Sequence, residues 1–320
     1  MTDPAIDFER EPPPPDAPAW FHRALAVPAT EFEVDVGGCS VHALAFGPAG
    51  ARGLVFVHGG GAHAHWWTHV AATFSDEFRV VALDLSGHGD SGHRKSYSLE
   101  QWTDEVVAVA TAGEMTGRPV IIGHSMGGFV TIATAALHED AVSGAIVCDS
   151  PVTEPDPEIG AYQLRRAFGR PRLYTTLADA IAHFRTVPAQ DNYLDYVIDH
   201  VARHSVRQVD GGWQWKFDRG IFAQFGAGIR SVALPYLSKV RCRFALLRSE
   251  HGLVTVDIGR SMYEALGRVA PVIVLPEAGH HAMLDQPLIL LTALRTLLGD
   301  WDHSEPHRRE PPRTPADGTG

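Results

Sequence analysis

The chain is 320 residues long, 45% hydrophobic and 20% charged, with a formal net charge of −11 at pH 7. That length can bury a large core in one domain plus an insertion without disulfides or a structural metal, and the excess of carboxylates argues against nucleic acid or an anionic membrane as partner. Three widely spaced cysteines (Cys39, Cys148, Cys242), an acidic N-terminus with no apolar run and no stretch of 18 consecutive apolar residues point to a protein of a reducing, cytoplasmic compartment.

Residues 1–19 run into Pro12-Pro13-Pro14-Pro15, which cannot pack as a helix, and read as disordered. A core spanning 20–149 follows, in which short apolar runs alternate with amphipathic helical windows, as a mostly parallel sheet with crossover helices requires. Gly53 to Val57 reads as a buried strand entering His58-Gly59-Gly60-Gly61, a loop able to offer a backbone N–H to a developing oxyanion, with Gly60 the expected donor. His58 is expected to hydrogen-bond the loop backbone and, with Gly61, His124 and Trp66, to border the substrate, while His63 and His65 line the entrance. No H-E-x-x-H and no Cys/His ligand spacing accompanies these histidines or His69, so no metal site is expected.

A helical window near Trp66 to Phe74 precedes a strand from Val80 into the glycine-rich turn Ser86-Gly87-His88-Gly89-Asp90-Ser91, which Asp84 is expected to stabilise. After a helix over Leu99 to Ala112 comes Val120-Ile121-Ile122-Gly123-His124-Ser125-Met126-Gly127-Gly128, a serine in a G-x-S-x-G frame between a β-branched strand and a helical run to Leu137. A turn that tight forces strained backbone angles on Ser125, so Gly123 and Gly127 supply room where a Cβ would clash. The hydroxyl then stands exposed as a nucleophile, the Met126 N–H is free at the helix start to bind an oxyanion, and His124 packs beside the nucleophile without acting as a base.

Ala145 to Cys148 reads as strand six and delivers Asp149 at its end. The alternation breaks over 150–238, which opens on Pro151, Pro155 and Pro157, carries helical pieces around Tyr162 to Phe168, Leu177 to Phe184 and Leu194 to His204, and gathers Trp213, Trp215, Phe217, Phe222 and Phe225. It reads as a cap, most of its aromatics packing its own core and the rest roofing a cleft over Ser125. The core resumes over 239–301 with the strand from Arg243, whose following loop holds Glu250, and a helix over Ile258 to Leu266. A last buried strand over Pro271 to Pro276 and a helix over Pro287 to Leu298 complete it. Between those two, Glu277-Ala278-Gly279-His280-His281 turns on its glycine to bring an imidazole back toward the serine, with His280 the expected base. Residues 302–320 form a Pro- and charge-rich tail that reads as disordered.

The serine frame, the HGGG loop, the strand and turn from Val80 to Ser91, and Ala278-Gly279-His280 together resemble the α/β-hydrolase superfamily, and more narrowly its cap-bearing bacterial esterase-like members, over about residues 20–300. The resemblance implies an α/β-hydrolase fold, a mostly parallel twisted sheet with helices on both faces and a helical cap inserted after strand six. It implies a serine hydrolase that cleaves a carboxylic ester, lactone or thioester through an acyl-enzyme, using a Ser125–His280–carboxylate triad and no cofactor. Many members carry the acid as an aspartate after strand seven, where this chain has only Glu250; others orient their histidine from strand six, as Asp149 would. Either carboxylate could serve, with Asp149 favoured. The expected partner is a small, partly apolar substrate, with the oligomeric state open. A cofactor-free C–C hydrolase, a perhydrolase, an acyltransferase and a non-catalytic ligand receptor remain alternatives on the same scaffold.

Overall fold

Along each buried strand the side chains alternate between two separate hydrophobic clusters, as a pleated sheet covered on both faces demands. Leu54 and Phe56, Val80 and Ala82, Ile146, and Ala245 and Leu247 face one cluster. Their neighbours Val55 and Val57, Val81 and Leu83, Ala145 and Val147, and Phe244 and Leu246 face the other. The computed structural model that shows this describes residues 14, 16–153, 172–225, 231 and 233–304. Most of the Pro-rich start and of the 302–320 tail, and the helical piece expected around Tyr162 to Phe168, lie outside the described residues.

The strands are β1 (Thr30–Asp35), β2 (Ser40–Phe46), β3 (Arg52–Val57), β4 (Arg79–Leu83), β5 (Thr116–His124), β6 (Gly144–Cys148), β7 (Val206–Val209), β8 (Gly212–Trp215), β9 (Arg243–His251) and β10 (Val272–Gly279). Eight form one sheet in the order β1-β2-β4-β3-β5-β6-β9-β10. It is parallel from β4 to β10, and β2 runs antiparallel to both of its neighbours.

Helices α1 (Ala19–Leu25) and α2 (Thr68–Ala71) cover one face, and α3 (Leu99–Ala112) and α4 (Met126–Leu137) the other. Ser98 caps α3 by accepting the Gln101 N–H at 3.1 Å. The inserted segment carries α5 (Leu177–Ala182), α6 (Asp195–His204), α7 (Gly220–Phe225) and α8 (Leu234–Leu237). The core closes with α9 (Val256–Ala265), α10 (Ala282–Asp285) and α11 (Pro287–His303). On α11 the buried positions Leu290, Leu294, Leu297 and Leu298 repeat at three and four residues. At roughly 1.5–3 kcal/mol for each leucine taken from water, that stripe suffices to hold the helix on the sheet.

Two features depart from the sequence pattern. The window from Trp66 to Phe74 is not one helix but a 3₁₀ turn (Ala64–Trp66), α2, and a second 3₁₀ turn (Ala72–Phe74), although Trp67, Val70, Ala71 and Phe74 keep helical spacing and pack in the same cluster. The insertion also contains the β7–β8 hairpin, joined through Asp210 and Gly211, the latter at φ 85°. An Asp-Gly pair between two short apolar stretches is a hairpin signal, but Arg207, Gln208 and Gln214 interrupt the hydrophobic alternation and mask it. Trp213 packs there with Tyr174, Ala180 and Val206 in a small separate core, while Val197 and Val201 of α6 join the main core. No cysteine pair is bridged, and no helix among the described residues is long and apolar enough to cross a membrane.

Candidate active site

The turn after β5 holds Ser125 at φ 54°, ψ −119°, a conformation that costs a residue with a Cβ about 1–3 kcal/mol. Close packing beneath the turn enforces it. A Cβ on Gly123 would run into Thr131 Oγ1 and the Gly127 backbone, and one on Gly127 into the carbonyl oxygens of Val57 and His58. The spacing of the two glycines is therefore the space needed for α4 to start directly against the ends of β3 and β5.

Strand register brings distant residues to one edge. His124 is level with Cys148, Cys148 with Leu247, and Gly279 with His251, so Ser125, Asp149 and His280 each stand one residue beyond a parallel strand's carboxyl end. His280 Nδ1 lies 2.7 Å from Asp149 Oδ2, and His280 Nε2 lies 3.0 Å from Ser125 Oγ. A carboxylate only accepts, so Nδ1 carries the proton and Nε2 is left to accept from the serine hydroxyl. His280 and Asp149 are both buried, and Ser125 is partly open.

Asp149 also accepts the backbone N–H groups of Leu253 (2.7 Å), Val254 (3.2 Å) and Ser249 (3.3 Å). Burial pushes its carboxyl up, but the His280 hydrogen bond and charge and the Leu253 and Val254 amides outweigh that and hold it below the ordinary carboxylate value. The loop after β9 folds so tightly around it that a Cβ on Gly252 would overlap the carboxylate. Glu250, the other acid considered, is exposed and accepts the Glu277 N–H at 2.9 Å. It is not brought to His280.

Gly60 and Met126 are neighbours, since a Cβ on Gly60 would lie 3.6 Å from Met126 Sδ and 3.1 Å from Phe222 Cε1. Phe222 of α7 thus lies against the loop expected to bind an oxyanion, with Phe217 edge-on to it at 5.9 Å. Gly61 is half-buried in the same loop at φ 72°. His58 is fully buried with both nitrogens engaged: Nδ1–H donates to the Gly59 carbonyl at 2.7 Å, and Nε2 accepts the Leu85 N–H at 3.0 Å. The ring thus holds two loops together through both of its nitrogens. His124 is likewise buried and donates from Nε2 to the His280 carbonyl at 2.8 Å; burial, then the neighbouring His280, pushes it down to about 3, so it is neutral and positions the His280 backbone. Trp66 is 6% exposed and packs on Phe184 and His281.

Two residues of the site escaped the sequence reading. Asp285 Oδ2 accepts the Gly279 N–H at 2.6 Å, and Gln190 Oε1 accepts the His281 N–H at 2.9 Å, so both hold the loop that carries His280. Only the six-residue separation of Asp285 from Gly279 hints at this in the sequence. His124, His280 and His281 are close enough for their ligand atoms to share a metal ion, but the first two and His281 Nε2, which meets the Pro188 carbonyl at 3.1 Å, already have hydrogen-bond partners. An open groove of about 910 Å³ lined by Arg248, Val256, Tyr263, Val272 and Val274 includes none of the residues around Ser125.

Asp84 ties the surroundings together. Its carboxylate accepts from the Ala64 N–H (2.6 Å), the Asp90 N–H (2.9 Å) and His42 Nδ1 (2.9 Å), joining the loops after β3 and β4 to β2. Burial alone would push His42 down, but the Asp84 hydrogen bond and charge raise it to about 9. A histidine raised in the folded state contributes stability that is complete below its unfolded value near 6.5 and lost as pH rises through about 9. Denaturant unfolding of the wild type should therefore show a loss on the order of 3 kcal/mol at most between pH 6.5 and 9, and His42→Gln should remove that slope. Parallel pH profiles for the two proteins would refute the linkage.

The comparisons with known proteins agree with this architecture. The model of the alpha/beta hydrolase family matches residues 54–293. The chain belongs to that family and is an α/β-hydrolase enzyme. It is similar to the esterase Rv0045c of Mycobacterium tuberculosis, 26% identical over 276 residues that cover 81% of this chain and 86% of the relative. Among solved structures it is similar to E-2-(acetamidomethylene)succinate hydrolase (TM-score 0.75, 24% identity, covering 85% of this chain and 100% of that one). It is also similar to a thioesterase domain from the curacin biosynthetic pathway (TM-score 0.70, 20% identity, covering 84% and 99%). At those identities the structural likenesses establish the fold alone.

Proposed function

We propose that this protein is a serine hydrolase that cleaves a carboxylic ester, lactone or thioester through an acyl-enzyme on Ser125. The observation that carries the reading is the continuous hydrogen-bonded series from Asp149 through His280 to Ser125, at 2.7 and 3.0 Å. His280 Nε2 takes the hydroxyl proton as Ser125 Oγ attacks the acyl carbon, and the Asp149 carboxylate stabilises the imidazolium that forms. The tetrahedral oxyanion accepts from the Gly60 and Met126 N–H groups; the second stands at the start of α4, where the helix dipole also favours negative charge. Collapse expels the alcohol or thiol with the proton from His280, and water repeats the sequence to release the acid. The names of the similar esterase and thioesterase domain are consistent with acyl transfer of this kind.

The inserted segment is read as a cap, with Phe222 against Gly60 and Trp66 and Phe184 in contact beyond it supplying apolar surface for the acyl group. A series of nitrophenyl esters should show kcat/KM rising from acetyl to medium acyl chains, by up to about 0.8 kcal/mol or roughly fourfold for each CH₂ buried. A flat profile would remove the apolar acyl pocket from the proposal. Absence of turnover across the series, together with no labelling by a fluorophosphonate, would favour the ligand-receptor reading.

A further inference from the structure

We propose that His65, His200 and His204 form a binding site for a late first-row divalent transition metal such as Zn²⁺ or Ni²⁺, which ties α6 of the inserted segment to the loop after β3. One nitrogen from each ring lies within 4.8 Å of the other two. His200 and His204 are four residues apart on α6 and so share a helix face one turn apart, the spacing at which two imidazoles can grip one ion. His65 comes from the 3₁₀ turn that follows the glycine loop, and its ring stacks on His204 with centroids 3.9 Å apart.

Local hydrogen bonds bias which nitrogen of each ring is free. His204 Nδ1–H donates to the His200 carbonyl at 2.8 Å, which fixes the tautomer and leaves Nε2 as the ligand atom. His65 Nδ1 lies 3.3 Å from Thr68 Oγ1, and in the tautomer that donates to that hydroxyl its Nε2 is left in the same state. His200 Nε2 is buried without a hydrogen-bond partner. A buried nitrogen left unpaired is a standing cost that a metal ion would relieve. Burial pushes all three histidines below the ordinary value, reinforced by the His204 charge on His65 and His200 and by Lys216 on His204, so they are neutral at pH 7.

The donor set selects the ion. Three imidazoles and no oxygen suit zinc, nickel, copper or cobalt and not calcium or magnesium. Metal–nitrogen distances of about 2.0–2.1 Å put tetrahedral ligand nitrogens roughly 3.4 Å apart, so nitrogens now within 4.8 Å of one another close by up to about 1.4 Å, and the stacked His65 and His204 rings rotate out of parallel so that both lone pairs meet the ion. All three residues are half-buried. Lys216, whose charge acts on His65 and His204, is held by Asp90 at 2.6 Å. Next to the site, His63 Nε2 meets Ser205 Oγ at 2.8 Å, a hydrogen bond that already links the same two segments.

The test is a titration of the metal-stripped full chain with Zn²⁺ and with Ni²⁺ by calorimetry, with Tm followed in parallel. One ion should bind per chain, with Tm rising by roughly 5 °C at a hundredfold excess over Kd. His200→Ala, His204→Ala and His65→Gln, each checked for native circular dichroism, should weaken binding at least tenfold and remove the Tm rise. His65→Gln lies outside the inserted segment and keeps the test open if the α6 variants fail to fold. His280→Ala, which dismantles the neighbouring His124–His280–His281 group, should bind metal as the wild type does. The proposal is overturned if the wild type shows no saturable binding, if the three variants bind unchanged, or if binding is lost in His280→Ala.

Discussion

Ser125→Ala is expected to leave the fold intact and to lower turnover of an activated ester by ~10³-fold or more. The covalent route disappears with the hydroxyl, whereas the Gly60 and Met126 N–H groups still bind the oxyanion, so a residual rate above water persists. Stability should not fall. The strained backbone at φ 54° is unchanged by the substitution, and the Ser125 N–H keeps its bond to the Cys148 carbonyl at 3.1 Å. Labelling by a fluorophosphonate, read by intact-protein mass, is the direct check; labelling that persists at the wild-type rate in Ser125→Ala would place the nucleophile elsewhere.

Asp149→Asn is expected to cost about 10⁴-fold in kcat, while Glu250→Gln stays within a few-fold of the wild type. The amide is close to isosteric, but it removes the charge that stabilises the His280 imidazolium. It also confronts three backbone donors, from Ser249, Leu253 and Val254, with a group that accepts through only one of its two polar atoms. The imidazole then loses its fixed tautomer. Glu250 meets only an exposed backbone N–H, so its amide variant keeps that contact. Both variants must first be shown to be folded, because Asp149 anchors the loop after β9. A dead Glu250→Gln beside an active Asp149→Asn would reverse the assignment of the acid.

This arrangement also explains why the loop after β9 lacks an aspartate. On the proposed assignment it does not supply the acid; it supplies the Leu253 and Val254 amides that receive Asp149, delivered by β6. Gly252 is there because the chain must pass within contact of the Asp149 carboxylate.

The features legible in the sequence are those whose physical cause is local. The turn at Ser125 is written in the two glycines on either side of it, since the clash that each avoids involves α4 and the strands it directly touches. The bounds of α3 and α4 follow from apolar spacing and, for α3, from the Ser98 cap. The sheet's parallel character follows from fully apolar runs such as Val120 to Ile122. What stayed open in the sequence depends on residues far apart in the chain. Whether Asp149 or Glu250 reaches His280 is set by the register of β6, β9 and β10, whose partners are separated by as many as 131 residues, as in the Asp149–His280 bond. One of the two hydrogen bonds that occupy His58 is likewise non-local, coming from Leu85 on the neighbouring loop. His65 and the His200–His204 pair read as unrelated histidines until α6 is packed against the loop after β3. A spacing rule carries information only along one chain segment, and it is the pairing of strands and the docking of the insertion that bring carboxylate, imidazole and hydroxyl within hydrogen-bond distance.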